Sequence, residues 1–195
     1  MKNGTLEHVG STAKIIEQYI MSGKSQDGEV YAGDIKYEQE NPYVKFEVIR
    51  TKNQRGVVSN SFAINEEICL EMVYSVLRDG ETVNPSIHIL DNLGNCILAT
   101  NNADSANTLK DQLFNVPLNK GVYVTTCTVP ALFLNDTSYL ISCFLVISFV
   151  SEMAIAREVL SFNVSETGEM RQEYTGQWIG LIRPKLAWQT QKSIL

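Results

Sequence analysis

Histidine is nearly absent: His8 and His88 are the only two in 195 residues. They stand in different segments without ligand spacing, so a zinc site with two or more histidines finds no support. Neither accompanies the G-x-S-x-G elbow of a serine hydrolase. The four cysteines, Cys69, Cys96, Cys127 and Cys143, form no C-x-x-C pair, which removes the usual zinc and redox spacings. Each lies in an apolar, β-like run and reads as a reduced core thiol. Positive charge is scarce: 16 Lys and Arg against 22 Asp and Glu leave a net charge of −6. A nucleic-acid binder announces itself with a basic patch, and an anionic membrane surface asks for the same sign. Long apolar runs are missing too. The longest, Tyr139 to Val150, falls well short of the roughly 20 residues of a spanning helix. The start, MKNGTLEHVG, has no apolar signal core, so a cytoplasmic location is expected. Gly23-Lys24-Ser25 imitates the end of a phosphate loop, but the glycine required five positions earlier is Gln18. Nucleotide binding by this chain, and any cofactor, is not expected.

Residues 1–22 have a pattern of their own. Ser11 or Thr12 can cap a helix, and Ile15, Ile16, Tyr19 and Ile20 then share one face. Ser22 to Gly33, SGKSQDGEVYAG, is polar and Gly-rich, and residues 23–42 read as a linker. From residue 43 to 195 the periodicity is two. Strands are expected near 44–52, 67–77, 85–91, 95–101, 122–130, 138–149 and 156–164. Between them stand turn residues: Asp79-Gly80, Asp91-Asn92-Leu93-Gly94, Asn119-Lys120-Gly121 and Asn135-Asp136. The fold class is therefore all-β, an antiparallel sandwich of immunoglobulin-like or jelly-roll type with a short N-terminal helix. In the second strand Ile68, Leu70, Met72 and Tyr74 form the core face, and Glu67, Cys69, Glu71 and Val73 the other. The 138–149 strand is apolar on both faces, Leu140, Phe144 and Val146 included, so its second face is expected to be covered, by the chain itself, the N-terminal helix, a partner subunit or a ligand. Glu66, Glu67, Glu71 and Asp91 are glycosidase carboxylates by residue type alone, since nothing in the sequence sets their separation.

Beyond residue 62 the order of motifs is distinctive. A strand, FAINEEICLEMVYSV, precedes Ile89-Leu90-Asp91-Asn92-Leu93-Gly94 and then Thr100-Asn101. Val129-Pro130-Ala131-Leu132-Phe133-Leu134 follows, then Val159-Leu160-Ser161-Phe162-Asn163-Val164 and a terminal piece from Gly180 to Trp188. This order resembles the C-terminal domain of Wzt-type subunits, the nucleotide-binding subunits of O-antigen polysaccharide exporters. At the other end, Asn3 to Gly10 followed by Ile15-Ile16-Glu17-Gln18-Tyr19 is similar to the tail of their ATPase domain. The match is loose over 114–125.

The resemblance implies a binding domain without catalytic residues or metal, carried by a longer subunit that is an ATPase. It implies recognition of the capped non-reducing end of a lipid-linked O-polysaccharide before export. It also implies a homodimer, with exchange of the C-terminal strand across a hinge at 168–177, and a place beside the inner membrane through the exporter's transmembrane subunit. The expected glycan contacts are outward positions of one sheet: Glu71, His88, Asn101, Asn102, Ser142 and Phe144. Arg78 joins His88 as a possible cation for an acidic cap. Trp188 is expected to serve core packing or dimer locking, and Trp178 is balanced between packing and sugar stacking. Two other readings stand beside this one: a structural or dimerisation sandwich without ligand, and a carbohydrate-active enzyme.

Overall fold

In a computed structural model, residues 27–147, 152–174, 176 and 178–193 are described, the side chain of Glu152 excepted. The N-terminal helix expected within residues 1–22, and the end of the run to Val150, lie outside the described residues. The described residues form ten strands and no helix: β1 Glu29–Tyr31, β2 Val44–Asn53, β3 Ser61–Ala63, β4 Ile68–Val76, β5 Glu81–Leu90, β6 Cys96–Asn101, β7 Pro117–Leu118, β8 Gly121–Val129, β9 Ser138–Ile147 and β10 Glu152–Ser165. Consequently none of the described residues belongs to a helix long and apolar enough to cross a membrane.

The strands form two layers. One is a sheet in the order β1-β2-β4-β8, and the other runs β3-β10-β9-β5-β6 with β7 added at β5. All the pairings are antiparallel except β3 with β10, which is parallel. The period-two pattern decides which side chains fill the space between the layers. Phe46 and Ile49 of β2, Ile68, Leu70, Met72 and Tyr74 of β4, Ile87 and Ile89 of β5, and Ile141, Cys143 and Leu145 of β9 all point inward and are buried. Phe162 ties this core together: Phe62 meets it edge-on at 5.9 Å and Tyr139 stacks on it at 5.4 Å. Tyr139 is buried, and its hydroxyl sits 2.9 Å from the Asn135 carbonyl and 2.8 Å from that of Leu181. The bond to a backbone group four residues upstream is the arrangement of a tyrosine corner.

Three features depart from the sequence expectation. First, the stretch read as a linker, 23–42, is part of the sandwich from Gly28 onward. β1 pairs with β2, and Val30 and Ile35 are buried. Three-residue strands carry too little periodicity to show in a sequence window. Second, β3 and β7 are short strands that were not anticipated, for the same reason. Third, the second face of β9 is covered largely by the chain itself. Leu140, Ser142 and Phe144 are buried in the monomer. Here β10 breaks register between Ala156 and Leu160, and its extra residues bulge over β9. The Glu158 amide in that bulge, at φ 44°, donates to Ser142 Oγ at 2.8 Å.

One long side of the sandwich is closed, where β2 packs against β10. On the other side the two edge strands, β6 and β8, leave an opening. The connection from β6 to β7, residues 102–116, runs across it.

Candidate functional site

The opening forms a cleft of about 350 Å³, within the usual range of ligand sites. Met72, Pro85, Ile87 and Val129, all buried, and the part-buried Leu98 and Phe133 make an apolar floor. Thr125, Thr126 and Thr128 from β8, Asn101 at the end of β6, and Asn102, Asn107, Thr108 and Asp111 from the connection add polar groups. A second hollow of about 290 Å³ continues along β8 and shares Asn102, Asn107, Leu109, Asp111, Thr125 and Thr126 with the first. Tyr74 and Tyr123, stacked at 5.8 Å, stand in its wall.

The 102–116 connection has little regular structure, yet it is tethered along its length. Asn102 Nδ2 donates to Asp111 Oδ2 at 2.8 Å, and the Leu113 amide donates to Asp111 Oδ1 at 2.9 Å. Thr100 Oγ1 reaches the Ala106 carbonyl at 3.4 Å. At its far end Asn115 adopts φ 55° and exchanges two bonds with Asn84, at 2.7 and 3.1 Å. A long loop held in one shape by side-chain bonds is characteristic of a binding element. One detail bears on what it holds. Asn102 Oδ1 is buried and has no hydrogen-bond donor among the described residues. An orphaned acceptor costs about 1–3 kcal/mol.

Of the six residues expected from sequence, the structure places Asn101 and Asn102 at this cleft. His88, Ser142 and Phe144 are together, but on the outer face of the other layer's sheet. His88 pairs with Ser142 in register, and its ring lies 4.3 Å from that of Phe144. Arg157 stands 5.7 Å from the same ring and pairs with Glu38. Phe144 is only 6% exposed and Ser142 1%, so neither offers a free surface to a sugar. Burial, and then the nearby Arg157 charge, hold the His88 imidazole below its ordinary pKa. Glu71 is on the outer face of the opposite sheet, bonded to Arg50 at 2.6 Å and Lys52 at 2.5 Å. Burial pushes its carboxyl up, but these two cations outweigh it and hold the pKa below the usual value. Arg78 pairs with Glu81 beside β7, and its guanidinium covers the Tyr43 ring.

Sequence reasoning missed Asp111, Phe133 and the threonines of β8. The available signal was the stretch NNADSANTLKDQ, rich in Asn, Asp, Ser and Thr between two strands. Its length and polarity mark a loop with work to do rather than a turn.

The C-terminal segment docks beside the start of β9 and then leaves the sandwich. The Arg183 amide donates to the Phe133 carbonyl at 2.8 Å, and Asn135 donates to the Leu181 carbonyl at 3.0 Å. The buried Arg183 guanidinium bonds Asn135 Oδ1 and Glu166 Oε2, both at 3.2 Å, and lies over the Trp178 ring at 4.6 Å. Past Pro184 the chain is exposed, with Trp188 at 90%.

No protein-family model matches the chain, and no curated protein sequence matches it. Among solved structures it is similar to the crystal structure of the C-terminal domain of Wzt, with a TM-score of 0.59 over 87% of this chain and 98% of that one, at 18% identity. The fold is that of the Wzt C-terminal domain. At this identity the likeness is one of fold. A CARDB domain from Pyrococcus furiosus crystallised with di-metal ions also matches, over 66% of this chain and 99% of that one, at 11% identity. Its TM-score is 0.35. Among the described residues of the Wzt-like sandwich, no three His, Cys, Asp or Glu side chains are grouped to hold a metal ion.

Proposed function

We propose that this domain binds carbohydrate and serves as the substrate-recognition domain of an O-antigen polysaccharide exporter. It reads the capped non-reducing end of the lipid-linked chain in the β6/β8 cleft before export. The observation that carries this reading is the cleft itself: an apolar floor under a rim of amides and hydroxyls, with the buried acceptor Asn102 Oδ1 lacking a donor. A sugar presents the matching surfaces, C–H faces for the floor and hydroxyls for the rim. The Wzt-like fold supports the choice of exporter over other glycan-binding settings. The domain belongs, on this reading, to a longer cytoplasmic ATPase subunit that meets a transmembrane partner at the inner membrane. Within this chain the reading is of binding without catalysis.

The test is calorimetric titration of the protein with isolated O-polysaccharide, with and without its terminal residue. Binding that needs the intact end is expected. Asn102→Ala is expected to weaken it about tenfold, the worth of a buried polar contact. Equal binding to both forms would remove end recognition, and binding untouched by the substitution would remove this cleft.

A homodimer is the second part of the proposal. Leu186 and Trp188 are exposed on a segment that has already left its own sandwich, and apolar groups so displayed call for a partner surface. Exchange of the terminal segment between two copies supplies one.

A further inference from the structure

Trp178 lies outside the core, with 40% of its surface exposed, yet it is fixed from several directions. The buried Arg183 guanidinium, bonded to Asn135 and Glu166, lies over the ring at 4.6 Å. Tyr174 meets the same ring at 5.3 Å and close to a right angle. Gly176 makes room for that second ring, since a Cβ there would stand 2.5 Å from Tyr174 Cζ. The Trp178 and Gly180 carbonyls both accept from Asn135 Nδ2, at 3.4 and 2.7 Å. An exposed aromatic pair held in this way has little freedom left to lose when a ligand covers it.

The indole lines a hollow of about 660 Å³ together with Asn135, Asp136, Thr137, Arg171 and Ile179. Ile179 is wholly exposed at its lip. Arg171 Nη2 donates to Asp136 Oδ2 at 2.6 Å, so the two charges of the lining cancel. Around the ring stand polar groups that are still open. Asp136 Oδ1, the Thr137 hydroxyl and the Trp178 indole N–H take no hydrogen bond among the described residues. They offer an acceptor, a group that is both donor and acceptor, and a donor, beside aromatic carbon. A sugar ring presents the matching surfaces, hydroxyls at its edge and C–H groups on its face.

The place of the hollow suits a longer ligand. Phe133 is on the floor of the β6/β8 cleft, and Asn135, two residues on, lines the hollow. At most about 7 Å of chain separates them. The Arg183 amide, bonded to the Phe133 carbonyl at 2.8 Å, ties the C-terminal segment to this strip. Cleft and hollow are therefore neighbours on one rigid piece of backbone.

Resting on the glycan-binding reading above, we propose that the Trp178 hollow is a second subsite, which takes an internal sugar of the polysaccharide whose end occupies the cleft. The C–H face of that sugar rests against the indole, and its hydroxyls engage Asp136 Oδ1 and Thr137. The domain thus binds a stretch of polymer as well as its end.

The experiment uses the whole chain and two probes prepared from isolated O-polysaccharide, the non-reducing-end disaccharide and the non-reducing-end hexasaccharide. In calorimetric titration the hexasaccharide is expected to bind about five- to tenfold more tightly, the worth of one additional sugar face covered. Trp178→Ala is expected to remove that gain and leave disaccharide binding unchanged. Thr137→Val, which keeps the shape of a half-buried side chain and removes an unbonded hydroxyl, is expected to weaken the hexasaccharide about threefold with no change in Tm. Trp178 and Trp188 are the only tryptophans, so in Trp188→Phe the emission belongs to Trp178. It is expected to change with the hexasaccharide and not with the disaccharide. Equal binding of the two probes would overturn the subsite while leaving glycan binding standing, as would a gain that survives both Trp178→Ala and Thr137→Val. If Trp178→Ala instead separates two copies in light scattering and leaves both affinities unchanged, the hollow is a contact between chains and the inference falls. Absence of binding by both probes and by the polymer removes the glycan reading itself, and the subsite with it.

Discussion

At the scale of single residues, the polar groups of this protein divide into those that are fully bonded and those that are not. Tyr139 is of the first kind. Its hydroxyl joins the Asn135 and Leu181 carbonyls, so one side chain ties the start of β9 to the docked C-terminal segment. Tyr139→Phe keeps the ring and its stacking but removes the hydroxyl's bond to these carbonyls, which keep their backbone donors, the Thr137 and Asn135 amides. A loss of about 1–2 kcal/mol in urea unfolding is expected, with loosening felt first around residues 178–183 in hydrogen exchange. His88 makes a different prediction. Its folded pKa is depressed below 6.5 by burial and by Arg157, so the unfolded chain takes up a proton more readily than the folded one. The contribution to stability is therefore intact above pH 6.5 and is lost as the pH falls from there through the lower, folded value. His88→Gln is expected to flatten that part of the stability profile; an unchanged slope between the two proteins would show that His88 is not its source.

At the scale of elements, the seven longer strands were legible in the sequence because alternation is a strong signal when it lasts five residues or more. The inward set Ile68, Leu70, Met72 and Tyr74 could be read directly from that pattern and is buried. The short elements were not legible, and the reason is physical. β1 is held by its partner β2 and by a backbone approach that no hydrophobicity pattern records. Gly28 precedes it at φ 77°, and its carbonyl accepts from the Thr51 amide at 2.8 Å. A Cβ at this position would stand 2.7 Å from the Ser59 carbonyl carbon. Gly28→Ala is therefore both conformationally strained and sterically blocked. It is expected to cost roughly 2–3 kcal/mol and to lower Tm by about 5–10 °C. A calorimetric Tm within a degree of the parent's would mean that β1 contributes little to the sandwich. The site was only partly legible for a related reason. Strand alternation tells which face a side chain takes, but not that a bulge in β10 covers one face of β9 or that the loop at 102–116 frames the opening at β6 and β8. Asn101 and Asn102 were within reach because they end a recognisable strand. Asp111 and Phe133 depend on how the two layers are stacked.

At the scale of the whole molecule, the C-terminal segment poses a balance between two sets of contacts. Residues up to Arg183 are committed to their own sandwich through the Leu134–Ile182 bridge and the Arg183 bonds to Asn135 and Glu166. Burial raises the Glu166 carboxyl, but bonds from the Met170 and Gly168 amides and from Arg183 outweigh it, so this anchor is favoured in its charged form. After Pro184 the side chains have no such commitment. Trp188 was expected to pack in a core or lock a dimer, and its 90% exposure removes packing in this chain's own core. The proposed homodimer places Leu186 and Trp188 against the other copy, while Arg183 keeps the preceding residues at home as a fixed pivot. Removal of residues 184–195 is then expected to leave the sandwich folded, with its circular dichroism and the Tyr139 environment unchanged. Light scattering should shift from the mass of two chains to that of one. Trp188→Ala alone is expected to weaken dimerisation by ten- to a hundredfold, the range of a buried aromatic anchor. If the full chain is a monomer at tens of micromolar, the exchange proposal fails.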